Sequence, residues 1–342
     1  MKRLNRKKII IIILLIGFFI PLAYKVYKKM KPQKIVVQKD PLIFEFDSLG
    51  WDKCEGREFV SDNFEINQVP DSLLPYNKPF DCFYVEYSKD SLPLYNYESK
   101  LYKHPSVFFL YGLRNLIEYK TTKKEFYLKR SERYQGEVVK LATVIDSADF
   151  FYFPFDFALH GYKNQLMHAP WYSGFTQGMS MIFNIRLYKL TKDEKYLNSM
   201  LRAFNAYVPL KADAPANKNI WVSCIDKNKN IWFEEYPQDF PGFTLNGKIF
   251  SILAMYECYM LTHNENIKKY LLAGITTIKN NVKRFRKTGD RSYYCLKHKV
   301  NFAPHYHRIH IEQMHLLHLI TNDPYFETVA QDLTNDSLKV NG

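Results

Sequence analysis

Three stretches of this 342-residue chain concentrate side chains that can move protons or grip a polar ligand. Residues 168–178 carry Trp171, Tyr172 and Gln177; residues 231–246 carry Glu235, Tyr236 and Asn246; residues 291–310 carry Tyr294, Lys297, Tyr306 and His310. A carboxylate such as Glu235 serves as a base near neutral pH once partial burial raises its pKa. A phenol, with a free pKa near about 10, needs a neighbouring cation to act as a base. Lys297, Arg308 and His310 are the local candidates. Trp171 and Tyr172 offer rings for stacking on sugar faces, and Gln177 and Asn246 offer amides for hydroxyls. Each residue also has a plainer reading. Glu235 can cap or salt-bridge near Pro237, the tyrosines and Trp171 can pack, Lys297 can sit on a basic surface loop, and Gln177 and Asn246 can cap helices.

Metal chemistry is weakly signalled. His298, His305, His307, His310, His315 and His318 gather near the C-terminal end, with His307 and His310 three apart, but no carboxylate or cysteine completes a familiar ligand pattern. The five cysteines are scattered without a C-x-x-C pair. Their odd number forbids a complete disulfide set, so buried thiols with room for one structural disulfide are expected. No metal and no cofactor is expected.

The elements that must position these stretches are mostly helical. Apolar stripes at 3.6-residue spacing run through Val107–Ile117, Val138–Ala148, Phe175–Leu187, Tyr196–Val208, Leu245–Tyr256, Ile267–Phe285 and Ile309–Ile320. Thr191-Lys192-Asp193-Glu194 reads as a turn followed by an acidic helix start. Residues 51–105, rich in proline and aromatic runs, read as loop, short strand or hairpin. No internal repeat is visible. Consecutive helices on short loops pack antiparallel, and hairpins with one apolar stripe each can close into a ring. The predicted fold is mainly α: an (α/α) toroid or incomplete barrel of antiparallel helix pairs, with a short N-terminal loop and hairpin region and one N-terminal membrane helix. The three polar-aromatic stretches would converge at one end of the ring.

The net charge of +13 is concentrated in the tail: residues 1–34 hold ten Lys and Arg and no acid, leaving +3 for the other 308 residues. Nucleic acid is therefore not an expected partner. Ile9–Tyr24 is an apolar run behind a basic start, with no small-residue cleavage site after it. It reads as an uncleaved, single-pass signal anchor that leaves the C-terminal domain outside the cytoplasm. The expected organisation is a basic N-terminus and anchor over 1–34, a stalk and irregular region over 35–105, and a helical catalytic domain over 106–335.

Several blocks resemble the C-terminal domain of the D-glucuronyl C5-epimerases. Ala169-Pro170-Trp171-Tyr172-Ser173-Gly174-Phe175-Thr176-Gln177-Gly178 resembles its P-G-W-Y-S-x-M-A-Q-G segment. Glu234-Glu235-Tyr236-Pro237 with Phe243-Thr244-Leu245-Asn246-Gly247 resembles E-E-Y-P and F-V-L-N-G. Tyr294-Cys295-Leu296-Lys297-His298 resembles Y-D-L-R-H, and Tyr306-His307 with His310-Ile311-Glu312-Gln313 resembles Y-H-x-x-H-I-N-Q. The blocks occur in order over roughly 165–320, with an echo at His104-Pro105. Lys297 stands for an Arg and Glu312 for an Asn, and residues 120–150 are too few for the β-sandwich of animal members.

The resemblance implies an isomerase that inverts C5 of D-glucuronate to L-iduronate in an acidic, heparosan-like polysaccharide. Removing the C5 proton creates charge next to a carboxylate, so the reaction needs cations or donors on that carboxylate, a base on one face and an acid on the other. By the resemblance, Glu235, Tyr294 and Tyr306 transfer protons, while Tyr236, Lys297, His310, Tyr172, Trp171, Gln177 and Asn246 bind substrate. Expected partners are a uronate polysaccharide, the membrane and, as a further option, a second copy in a homodimer. Two alternatives stand beside this: a uronate lyase, which shares the first proton abstraction, and a non-catalytic glycan-binding or assembly protein.

Overall fold

The computed structural model describes residues 42–214, 220–300 and 304–340. The sequence-predicted anchor at Ile9–Tyr24 lies outside the described residues, among which no helix is long and apolar enough to cross a membrane.

The described residues hold eight α-helices in four hairpins: α1 (Pro105–Thr122) with α2 (Glu125–Val139), α3 (Gly174–Thr191) with α4 (Glu194–Asn205), α5 (Leu245–Thr262) with α6 (Glu265–Asn281), and α7 (Pro304–Thr321) with α8 (Pro324–Val340). The first helix of each hairpin packs on the first helix of the next, in the order α1, α3, α5, α7, with the second helices behind them. The apolar faces meet in one core that includes Phe108, Phe109, Phe183, Ile252, Leu253 and Leu317.

All four hairpins turn by the same device, so a repeat does exist. The segments Tyr119–Glu125, Tyr188–Glu194, Tyr259–Glu265 and His318–Pro324 each place a threonine on the last helical residue, followed by a two-residue turn. The threonine hydroxyl donates to the carbonyl four residues back at 2.8–2.9 Å. It also accepts the backbone N–H two residues on at 3.2–3.3 Å. Between them Lys123, Lys192, His263 and Asn322 adopt the left-handed conformation, at φ 58, 60, 50 and 54°, and close the helix with an N–H to the carbonyl of Tyr119, Tyr188, Tyr259 or His318. Asp193 and Asn264 then cap the next helix through their side chains.

Short strands fill the space between hairpins. Strands β1 (Glu86–Tyr87), β2 (Pro93–Tyr97) and β3 (Lys100–Tyr102) form a meander ahead of α1. Between α2 and α3, β4 (Ala142–Ile145), β5 (Ala148–Phe153) and β8 (Trp171–Tyr172) form one antiparallel sheet, and β6 (Phe157–Ala158) pairs with β7 (Leu166–Met167). A hairpin of β9 (Ser223–Ile225) and β10 (Ile231–Phe233) precedes α5. The apolar stripe Val138–Ala148 is therefore not a helix. The helix ends at Val139, and the β-branched Thr143-Val144-Ile145 and aromatic Phe150–Phe153 pair as strands across a turn at Asp146 (φ 50°). The irregular segment that follows residue 50 packs onto the helices. Cys54, Phe64, Val69 and Leu74 are buried in the helical core, and a Cys54–Cys224 disulfide ties this segment to β9.

Across the inner row, Arg186 on α3 grips Glu257 on α5 with both guanidinium nitrogens, one pair at 2.8 Å, and both side chains are almost wholly buried. Truncating one partner strands the other charge in the core. Glu257→Ala is expected to lower unfolding free energy in urea by about 3–5 kcal/mol, whereas Arg186→Met with Glu257→Leu, which removes both charges, costs much less. Equal losses in the two variants would contradict this view of the pair.

Candidate active site

Because the tight turns all lie at one end of the hairpins, the described parts of the longer connections that follow α2, α4 and α6 meet at the other. Glu234 and Glu235 follow β10 directly. The Glu234 carbonyl accepts the Gly174 N–H at 2.7 Å, and a Cβ on Gly174 would lie 2.8 Å from that oxygen, so the start of α3 packs against the acidic pair only as glycine. The Glu234 carboxylate accepts the N–H groups of Gly242 and Phe243 at 3.1 and 3.4 Å, fixing the loop that enters α5. The 294–300 turn lies alongside this loop. Leu245 N–H donates to Tyr294 at 3.1 Å, Leu296 N–H to Phe243 at 3.3 Å and Lys297 N–H to Gly242 at 3.2 Å.

These contacts assemble a buried proton-handling cluster. The Tyr294 hydroxyl donates to Glu235 Oε2 at 3.0 Å. The Tyr236 hydroxyl lies 3.5 Å from that of Tyr294. The Tyr306 ring, on the first turn of α7, meets the Tyr294 ring edge-on at 4.8 Å. Gly247 sits under the carboxylate, where a Cβ would stand 2.3 Å from Oε2. Burial raises the Glu235 pKa to about 7, partly offset by the hydroxyls of Tyr294 and Tyr236. Burial, reinforced by the charge of Glu235, holds Tyr306 above its ordinary value and Tyr294 and Tyr236 well above theirs. The tyrosines are thus protonated donors near neutral pH, and Glu235 is the group poised to change state.

The cations expected to activate a phenol are engaged elsewhere. Arg308 pairs with Glu312 on the exposed face of α7. His310 is fully buried, its Nδ1 2.7 Å from Ser292 Oγ. The same serine lies 2.9 Å from His307 Nδ1, which also accepts the Ser292 N–H, so His307 Nε2 donates to the Leu333 carbonyl. His307 and His310 are therefore a hydrogen-bonded relay through a serine rather than a metal pair. Lys297 is buried, and its ammonium donates to Gln165 Oε1 (2.6 Å), Gln238 Oε1 (3.1 Å) and the Phe240 carbonyl (3.1 Å), 4.9 Å above the Phe46 ring. All three acceptors are neutral, and burial lowers its pKa to about 8.

Lys297 lines a cleft of about 390 Å³ together with Gln165, Trp171, Tyr172 and Gln238. Trp171 is engaged in packing: it stacks on Phe153 at 3.9 Å, faces Phe157 at 5.6 Å, and donates its N–H to Phe155 at 2.8 Å. Tyr172 shares a 2.9 Å hydrogen bond with Thr143. Tyr236 leans on Phe157 and Trp171, so the aromatic wall of the cleft continues into the Glu235 cluster. Gln177 lies outside the site: oriented to satisfy both ends of its amide, it accepts from Phe151 N–H and donates to the Asp149 carbonyl, each at 3.0 Å. Asn246 caps nothing; its Oδ1 is buried without a partner, as are Gln313 Oε1 and His310 Nε2, among the described residues.

The profile described as D-glucuronyl C5-epimerase C-terminus matches residues 146–335. The chain belongs to this family. It is 26% identical over 168 residues to the D-glucuronyl C5-epimerase of Caenorhabditis elegans, covering 44% of this chain and 26% of the worm protein. It is 33% identical over 142 residues to an uncharacterized protein of Methanocaldococcus jannaschii, covering 41% of this chain and 44% of that one. Among solved structures, cellobiose 2-epimerase from Bacillus thermoamylovorans superimposes with a TM-score of 0.46 and 12% identity over 71% of this chain and 63% of that one. The chain thus spans less than half the length of the two curated relatives.

Within the epimerase-family region the structure adds residues that motif reading passed over. Gly247 was quoted only as part of a block, although a glycine beside a buried acid signals close approach. Gln165 and Gln238 cage Lys297 from loops that no helical period marks. Outside that region, Tyr76 comes near enough to Glu235 that the carboxylate's charge adds to burial in raising the phenol's pKa.

Because the native pKa of Glu235 lies above its ordinary value, the native state binds the proton more tightly than the unfolded chain does. The stabilisation is complete below the unfolded pKa and is lost as pH rises through about 7. Between pH about 4.5 and about 7.5, wild type should lose roughly 3 kcal/mol more unfolding free energy than Glu235→Gln, an order-of-magnitude figure from the size of the shift. Parallel stability–pH curves for the two proteins would show that Glu235 is not held in this state.

Proposed function

We propose that this chain is a carbohydrate epimerase that inverts C5 of D-glucuronate residues in an acidic polysaccharide. The observation that carries the reading is the Tyr294 hydroxyl on Glu235 Oε2 at 3.0 Å, with Tyr306 against it. This acid–base set stands beside a cleft that presents Lys297 with no carboxylate partner among the described residues. The open arc of four helical hairpins is read as an incomplete (α/α) toroid with the cleft at its loop end.

In this reading Lys297 takes the uronate carboxylate, displacing one or more of its amide acceptors, and lowers the energy of the enediolate that forms when C5 loses its proton. Glu235, with a pKa near 7, is the base. Tyr306, held protonated, is the acid on the opposite face. Tyr294 lies between them, hydrogen-bonded to Glu235 and edge-on to Tyr306; after one inversion Glu235 carries a proton and Tyr306 has given one up, and proton exchange with water resets both. Asn246 Oδ1, buried and without a partner among the described residues, is a ready acceptor for a sugar hydroxyl. The Cys54–Cys224 disulfide supports a location outside the reducing cytoplasm, in keeping with a signal anchor holding the enzyme beside a glycan.

Incubation with heparosan in deuterated water tests the proposal. Wild type should place deuterium at C5 in both gluco and ido residues, read by NMR. Glu235→Gln and Tyr306→Phe should slow exchange at least about 100-fold, the lower range for loss of a general acid or base. Gly247→Ala, which pushes the carboxylate aside, should do likewise while retaining the fold. Unchanged exchange in Tyr306→Phe would remove it as the acid. An ultraviolet-absorbing unsaturated product would make the protein a lyase, and glycan binding without any exchange would make it a binding protein.

A further inference from the structure

Next to the cluster, His160, Cys295 and His298 form a second constellation that proton transfer at C5 does not require. Cys295 Sγ lies 3.2 Å from His298 Nδ1 and 3.5 Å from His160 Nε2, and all three atoms fall within 4.8 Å of one another. We propose that His160, Cys295 and His298 are a binding site for one zinc ion, with a water or a fourth donor completing the shell.

The sulfur–nitrogen separations suit a tetrahedral site. Zn–S of about 2.3 Å and Zn–N of about 2.0 Å at a tetrahedral angle put sulfur and nitrogen about 3.5 Å apart, which the separation from His160 equals and that from His298 approaches at 3.2 Å. Two imidazoles and a thiolate form a mixed nitrogen–sulfur set that suits zinc over magnesium or calcium, which take oxygen ligands. The ligands come from two loops pinned independently. Cys295 and His298 sit in one tight turn, closed by Lys299 N–H to the Cys295 carbonyl at 3.1 Å. His160 is held in the left-handed region at φ 56°, which directs its ring at the turn. Cys295 and His298 are buried while His160 is half-buried, leaving one side of the site open to an entering ion. Stacked Tyr162 and tilted Phe44 wall off the rest of His298. Binding converts the Cys295 thiol to a thiolate bonded to the ion and releases its proton to water.

The consequence is positional. Tyr294 immediately precedes Cys295, and the His160 ring meets Tyr294 edge-on at 5.7 Å. An ion at this point would clamp the 159–162 turn to the turn that carries Tyr294 and Lys297, whatever reaction those residues perform.

The purified, tag-free full chain, stripped with chelator, should bind one equivalent of Co²⁺ with a thiolate-to-cobalt charge-transfer band and intense tetrahedral d–d bands, both bleached by Zn²⁺. Cys295→Ser should abolish the charge-transfer band. His160→Ala and His298→Ala should weaken Zn²⁺ binding at least about 100-fold, the upper end of what outer-shell losses cost. Cys82→Ser, which alters another free thiol outside the cluster, should leave the spectrum intact. Circular dichroism should show each variant folded, and Zn²⁺ should raise Tm in wild type but not in Cys295→Ser. Absence of the charge-transfer band in wild type, or its persistence in folded Cys295→Ser, would overturn the site. Neither result depends on epimerase activity, so failure here leaves the C5 assignment untouched, and the reverse.

Discussion

The arrangement rests on keeping two consecutive carboxylates out of water. A buried ionised carboxylate is costly unless donors satisfy it, and the usual outcome is a shifted pKa. Both acids here follow that rule. Burial lifts Glu234 and Glu235 alike to about 7, but they are satisfied differently. Glu234 faces backbone N–H groups of the loop entering α5 and lies within the field of Lys248, whose own pKa burial lowers to about 7. It is a structural acid, tying loops together. Glu235 faces phenols, whose protons can leave. Neighbouring residues of the same type acquire opposite roles because one is met by peptide groups and the other by titratable side chains.

The scaffold divides the labour between its two ends. At one end the four threonine turns are as short as a helical hairpin allows, and each satisfies its helix termini internally. Nothing there requires more residues, and nothing there is left over for chemistry. The longer connections between hairpins lie at the opposite end, while residues such as Asn67 and Asp71 of the preceding segment pack beside the short turns at Ile320 and Lys189. Those longer connections have room to carry β-hairpins, and the chain can turn acids and phenols inward. The disulfide between Cys54 and β9 reinforces the same end, since β9 and β10 support Glu234 and Glu235 from below.

The helices that carry the site were legible because their apolar positions recur at 3.6 residues, and the three loops were legible because polar and aromatic side chains crowd where that period stops. The four-fold turn was not. Its recurring tyrosine or histidine, threonine and acid or proline are single residues spread over seven positions, and the threonines stand 69, 71 and 59 residues apart, too sparse and uneven to register as similarity. The strands after α2 were mistaken for helix because Leu141, Ile145 and Ala148 also satisfy a helical period; the β-branched and aromatic run between and after them decides otherwise. Within the site, Glu235, Tyr236, Tyr294 and Tyr306 converge as the resemblance implies. His310 and Gln177 do not join them, since a side chain's partner depends on approach from elements distant in sequence: Ser292 claims His310, and the strand backbone at Asp149 and Phe151 claims Gln177. The nearness of Cys295 and His298 to His160 was not read from the sequence, since His160 lies 135 residues from Cys295 and only the fold brings it there.

Lys297 stands where the resembling family segment carries an arginine, and the structure surrounds its ammonium with a built cage. An arginine brings its own geometry, a rigid fork that meets a carboxylate at two points; a lysine brings a point charge on a flexible stem. Flexibility matters only if the stem is free to move, and here it is not. Two glutamine side chains and one peptide carbonyl fix the ammonium from three directions, and the Phe46 ring lies against it. Positional order that a guanidinium carries within itself is supplied by the surrounding loops. Because the three acceptors are neutral, the cage orients the charge without cancelling it. An anionic group entering the cleft would meet a cation already desolvated and aimed, and by its own charge would hold that lysine protonated against the pull of burial on its pKa.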